Sequence, residues 1–423
     1  MRDPTPHSPA VPSRCARGLA FPALRPLRVS AAVLAAVLVP AAAIAATPQP
    51  PASATRPAPV VSFDALAAGA AKAREAGRLD EAVSLYRRAL AARPGWLEGR
   101  WALATLLYDR DRTREAEPEF ARVAAARPAD GQVTALLGLC RARLGRHEDA
   151  LRDLLKARKL GIASTEIRSV ATFQTAVLLN RLGDPDAAFD VLRPFAIDAD
   201  DRPAVVEAFG LITLRLPLSP GEVPEDKREM VLLAGRGGYH MARARTSEVG
   251  RMALEELVSR YPATPNVHYA LGMYLLVDDP AGAIAEFRRE LGVSPRHAVA
   301  MIQIALAELK RGRAEDALPC AQEAARIAPE VPAARLALGR TLLALGRAGE
   351  AVAEMEAAVR LAPENPRLRF ALAQAYTEAG RGPDAARERA EFLRLQNASG
   401  TPAAPGEEPA PPTSATRSQE AHP

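Results

Sequence analysis

The chain has 423 residues, 48% of them hydrophobic but only 4% aromatic, with alanine the commonest type at 90 residues and 25% charged. That length exceeds a single hydrophobic core, and an alanine-rich, aromatic-poor composition points to packed helices and away from a sheet. The net charge of +5 resides mostly in residues 1–46, where five arginines stand against Asp3, so the near-neutral body lacks the concentrated basic face that nucleic acid requires.

The N-terminal stretch is basic up to Arg28. Residues 29–46 then run without a charge, and Ala43-Ile44-Ala45 forms an A-x-A pattern ahead of Ala46. This reads as an export signal over 1–46, with a mature start near Ala46 and a periplasmic or secreted protein. An uncleaved inner-membrane anchor over 29–46 is the other reading, weakened by Pro40 and the many alanines. Cys15 precedes the apolar run, so it is not a lipobox cysteine. Residues 47–62 read as a disordered Pro/Ala-rich linker.

From residue 63 a period of 34 sets in. Pro94 and Pro128 lie 34 apart, and Pro262, Pro295, Pro329 and Pro363 follow at 33, 34 and 34. Units begin at Phe63, Leu97, Gly131, Ser169, Val231, Pro265, Ala298, Pro332 and Pro366. Their eighth position holds Ala70, Ala104, Gly138, Ala176, Gly238, Gly272, Ala305, Gly339 and Ala373. Their twentieth holds Ala82, Ala116, Ala150, Ala188, Gly250, Ala283, Ala317, Ala351 and Ala385, with a one-residue deletion ahead of Ala283. All eighteen are Ala or Gly, types that supply only 117 of the 423 residues, so the register is not accidental. Two helices approach closely only where the facing residues lack bulk. One turn later a large side chain fills the wider gap: Tyr86, Phe120, Leu154, Leu192, Leu254, Phe287 and Met355. The turn between the two helices carries Gly77, Gly145, Gly183, Gly312, Gly346 and Gly380, suited to a left-handed C-cap.

The repeats occupy 63–200 and 231–396. Residues 201–230 fit none of them: an apolar helical stretch over 205–214 precedes Pro217, Pro220 and Pro224, which predicts one extra helix and a hinge. The last unit ends in a polar-faced cap over 387–395, and residues 397–423 form a disordered Pro/Ala-rich tail.

This pattern resembles the tetratricopeptide repeat, in a secreted or periplasmic bacterial setting, over most of residues 63–396. The resemblance implies an all-α, right-handed superhelical solenoid of about nine helix-turn-helix units, with room for two blocks on either side of the connector. It also implies a non-catalytic scaffold or adaptor that holds protein or peptide in a concave groove lined by the first helix of each unit. A structural part of an envelope assembly (secretion, pilus or polysaccharide export) is the alternative. By position, the groove residues are Trp101, Tyr108, Phe173, Asn180, Arg236, Tyr239, Arg243, Asn266, Tyr269, Met273, Arg340 and Phe370. Members that capture a C-terminal carboxylate use a lysine at the fifth position, which this chain lacks. Its groove predicts instead that Tyr239 and Tyr269 stand on the groove wall and matter little to the stack.

No catalytic constellation competes with that reading. The six histidines form no H-E-x-x-H pair, and His240, His268 and His297 occupy different repeat positions. Gly235-Arg236-Gly237-Gly238 lies within a predicted helix and lacks the Lys-Ser pair of a phosphate loop. Asp198, Asp200 and Asp201 lack the glycine and glutamate of a calcium loop, and no G-x-S-x-G elbow occurs. Cys140 and Cys320 fall too many repeats apart to pair. The expectation is no catalytic residue, no metal, no cofactor and no nucleic acid, with membrane association only through the N-terminal apolar segment.

Overall fold

The computed structural model describes residues 61–244 and 247–399. The proposed signal or anchor, most of the linker and most of the tail therefore lie outside the described residues. The described residues form nineteen α-helices and no strand, and no helix among them is long and apolar enough to cross a membrane. The chain divides into two compact units, Met1–Thr175 and Ala176–Pro423.

The first unit stacks antiparallel pairs: α1 (Phe63–Glu75) with α2 (Leu79–Ala92), α3 (Leu97–Asp109) with α4 (Thr113–Ala126), and α5 (Gly131–Arg143) with α6 (His147–Leu160). The unit boundary falls within α7 (Thr165–Arg181). The second unit continues with α8 (Pro185–Ile197), α9 (Pro203–Thr213), α10 (Glu225–Arg243) and α11 (Glu248–Arg260). Four further pairs follow: α12 (Val267–Leu275) with α13 (Pro280–Val293), α14 (Ala298–Lys310) with α15 (Ala314–Ile327), α16 (Pro332–Ala344) with α17 (Ala348–Leu361), and α18 (Pro366–Glu378) with α19 (Gly382–Ser399). Helix starts are written into the sequence. Asp184, Ser247, Asp279 and Asn365 accept backbone N–H bonds from the first turn they precede. Proline opens α8, α9, α13, α16 and α18, where its missing N–H leaves no bond unmade.

Six of the nine expected unit starts coincide with helix starts, and three move. The fourth unit's helix begins at Thr165, four residues before Ser169; the fifth begins at Glu225, not Val231; the sixth begins at Val267, not Pro265. The connector therefore resolves into α9, a turn over 214–224, and the first six residues of α10. Ser62, assigned to the linker, caps α1 by accepting from Ala65 N at 3.3 Å. The last helix runs on to Ser399, past residue 396.

The eighteen small positions are all buried, and the large side chains of the next turn close over them. A Cβ added to Gly272 would stand 2.5 Å from the Phe287 ring; at Gly339 it would stand 2.7 Å from Met355 Cγ, and at Gly138 2.9 Å from Leu154 Cγ. In the fifth unit the residue facing Leu254 is Gly237, while Gly238 faces Thr213 of α9. The register there is one residue off the expected one, because the turn from α10 to α11 carries an extra residue. The six turn glycines all have φ between 71° and 92°. Between α3 and α4, where the glycine is lacking, Asp111 takes the left-handed conformation at φ 56°.

A polar clamp recurs where one helix pair meets the next. Arg100 pairs with Glu119 and donates to the carbonyl of Pro94, six residues back, at 2.7 Å. Arg335 pairs with Glu354 at 2.8 Å and reaches the Pro329 carbonyl at 3.3 Å. Arg369 pairs with Glu388 at 3.0 Å and reaches the Pro363 carbonyl at 3.1 Å. Arg168 donates to the Ile162 carbonyl at 3.0 and 2.8 Å. In the sixth unit His268 takes this place: Nδ1 lies 2.7 Å from Glu286 and Nε2 3.0 Å from the Pro262 carbonyl. Both ring nitrogens face acceptors, as a guanidinium would, so His268 belongs to the stack.

Candidate functional site

The extra helix α9 breaks the regular stacking, and beside it the second unit opens a cavity of about 460 Å³. One stripe of α8 faces it: Asp186, Phe189, Asp190 and Arg193, at i, i+3, i+4 and i+7. The end of α9 adds Ile212 and Thr213, followed by Arg215. The last turn of α10 adds Met241, Ala242 and Arg243, and α12 adds Tyr269, Ala270, Met273 and Tyr274.

Arg215 is held through both its backbone and its side chain. It follows α9 with φ 53°, as Ala199 follows α8 with φ 58°, in a conformation that six of the inter-helix turns give to glycine. A non-glycine residue in that conformation costs about 1 kcal/mol or more. Its guanidinium is anchored by Asp186, at 3.2 and 3.0 Å, and lies 5.4 Å from the Tyr269 ring centroid. The strained backbone thus carries a side chain with two cavity-wall contacts.

Tyr269 is only 4% exposed. Its ring stacks on His297, centroids 5.0 Å apart, and lies 5.7 Å from Phe287. Burial pushes its phenol well above the usual range. His297 in turn is held on both nitrogens: Nδ1 accepts from Ala300 N at 3.0 Å, so Nε2 carries the proton and donates to Asn266 Oδ1 at 2.9 Å. Burial pulls the His297 pKa down, with Glu290 opposing. Fully buried Glu290 accepts from the N–H groups of Asn266 (2.8 Å) and Tyr269 (3.2 Å), closing the first turn of α12. The wall is therefore preorganised from behind by a Glu290–Asn266–His297–Tyr269 chain.

The expected groove residues fall into three groups. Arg243, Tyr269 and Met273 line the cavity, and Asn266 supports it through His297. Tyr239, also expected on a groove wall, is 5% exposed and packs edge-on against Phe209 at 5.8 Å. Both tyrosine side chains are thus interior, since each ring fills a gap between helices. None of the others lines the cavity. In the first unit Trp101 and Tyr108 pack on Phe120 at 5.6 and 6.2 Å, with Arg143 4.2 Å over the Tyr108 ring, and Phe173 is half-buried. In the second unit buried Asn180 donates to the Leu216 carbonyl at 2.6 Å, and Phe370 packs on Phe392 at 5.5 Å. Arg236 and Arg340 are exposed. The α8 stripe and Arg215 were missed, because only first helices were assigned to the groove and α8 is a second helix. The signal available was an arginine followed by Leu216 and Pro217 where a turn glycine is the rule.

Antiparallel helix pairs crossing at paired small residues define an α-helical repeat protein. A tetratricopeptide-repeat model matches residues 73–140 and 342–390, and a second tetratricopeptide-repeat model matches 277–332, so these segments are similar to tetratricopeptide repeats. No curated protein matches the chain in sequence. Among solved structures it is similar to MamA 41-end from Desulfovibrio magneticus RS-1, with a TM-score of 0.37 at 21% identity, over 41% of this chain and 98% of that one. It is also similar to MamA AMB-1, with a TM-score of 0.34 at 21% identity, over 42% of this chain and 99% of that one.

Proposed function

We propose that the chain is a non-catalytic scaffold that holds a peptide segment of another protein in the cavity between α8, α9, α10 and α12. Tetratricopeptide repeats generally mediate protein–protein interaction, which supports the class. The observation that carries the site is Arg215: a strained left-handed backbone is retained where the side chain it positions forms a cavity wall. The test is Arg215→Gly in the full chain. Glycine suits φ 53° and relieves the strain, so helicity and melting should stay near the parent's. Capture of peptides from an immobilised random library should fall about tenfold, or ~1.4 kcal/mol. Undiminished capture by the folded variant would remove this cavity as the site.

We further propose that the protein works outside the cytoplasm. Support comes from the uncharged run over 29–46 and the A-x-A pattern before Ala46. N-terminal sequencing of the protein from its native cells should find a start near Ala46; an intact Met1 or Arg2 on cytoplasmic protein would defeat this.

A further inference from the structure

The cavity wall has more hydrogen-bond donors than acceptors to meet them. Arg193 is engaged by Asp190 at 2.6 Å and Arg215 by Asp186, and the Tyr274 hydroxyl donates to the Ser247 carbonyl at 2.6 Å. Two groups remain. Arg243, exposed at the end of α10, has no hydrogen bond or ion pair among the described residues. The Thr213 hydroxyl oxygen is buried and has no partner among them. Of the three arginines that line the cavity, Arg243 is the one without such a partner, and it sets a free guanidinium beside the apolar surfaces of Phe189, Met241 and Met273.

A ligand that completes this surface brings an anionic acceptor to Arg243 and an apolar body to the rings and thioethers. The guanidinium fork matches a carboxylate in two parallel bonds, and the methionines adapt to varied apolar shapes. A basic segment would leave Arg243 facing a like charge, with the two wall carboxylates already occupied. The volume lies within the ~300–1,000 Å³ usual for side-chain-sized and small-molecule ligands, too small for a whole helix to enter. Resting on the scaffold reading above, we infer that the cavity recognises an acidic residue next to a bulky apolar one within a peptide segment of the partner protein.

The experiment uses the immobilised full chain and a positional-scanning library of hexapeptides, acetylated and amidated so that no terminal charge remains. The expected selection is Glu or Asp adjacent to Phe, Leu or Trp. In the selected peptide, Glu→Gln should weaken binding about tenfold; Arg243→Gln in the protein should do the same, Arg243→Lys should keep part of the affinity, and Arg340→Gln should leave it unchanged. Adding salt should weaken the parent complex and not the Arg243→Gln one. Peptides bound without acidic preference, or indifferent to Arg243→Gln, would overturn this inference and leave the scaffold reading standing. No peptide retained by the parent chain would overturn both.

Discussion

Gly272 has no space for even a methyl group, since the Phe287 ring fills the volume beside it. Gly272→Leu should therefore destabilise the protein by about 3 kcal/mol, the upper part of the range for overpacked cores, as read by chemical denaturation. Gly292, a helical glycine with nothing within 4 Å of the place its Cβ would take, gives the opposite expectation: Gly292→Ala should stabilise by about 0.5–1 kcal/mol. Asp109 offers a pH-dependent case. Burial raises its pKa from 3.8 to about 6, with Arg143 opposing. A carboxyl whose pKa is higher in the folded state contributes stability below pH 3.8 that is lost as pH rises through about 6. Asp109→Asn, which keeps the uncharged shape, should thus gain about 1–2 kcal/mol at pH 7, allowing for partial solvent screening, and nothing below about pH 4. Urea midpoints at the two pH values decide it. At this scale small crossing residues were legible because steric exclusion leaves only two residue types. The placing of Tyr239 and Tyr269 was not, since position on a helix face does not say whether a neighbour covers it.

Helices α9 and α10 meet through their backbones. A Cβ on Gly210 would overlap the Val231 carbonyl, and one on Gly235 the Val206 carbonyl, closer than real Cβ atoms come. A side chain can rotate away from an intruding methyl; a helical carbonyl cannot. Gly235→Ala should therefore separate the pair, costing about 2–3 kcal/mol and removing hydrogen-exchange protection from α9 first. Protection of α9 equal to the parent's would show that the crossing is looser than its geometry. The sequence showed an apolar stretch over 205–214 and Gly235-Arg236-Gly237-Gly238, but not that they belong together. Gly237 serves the α11 contact as Gly272 serves α13, whereas Gly235 and Gly238 serve α9. Three glycines in four residues are the mark of a helix approached closely on two sides, a pattern that a single-repeat register cannot hold. The extra helix α9, the early start of α10 and the cavity fall together, so the least regular stretch of the chain is where the candidate site arises.

For the molecule as a whole, repeats that pack on their neighbours give stability as a sum of local terms. The loss from Gly272→Leu should appear in exchange experiments as weakened protection over α11 to α15, with α1 to α4 unchanged; uniform loss would mean the chain unfolds as one cooperative block. The recurrence of Arg100, Arg335 and Arg369 on a proline carbonyl and a glutamate bears on how such a chain changes length. Each of these junctions presents the same plug to the same socket, so a 34-residue cassette cut at Pro94 or Pro329 can be duplicated, removed or exchanged with its joint intact. The junctions at His268 and at Met301, which holds the corresponding position beside Cys320, carry different fittings. Recombination between copies is thus favoured at some seams and disfavoured at others, among them the one at Thr134, which among the described residues bonds only to the Asp130 carbonyl, and the one at His268 beside the cavity.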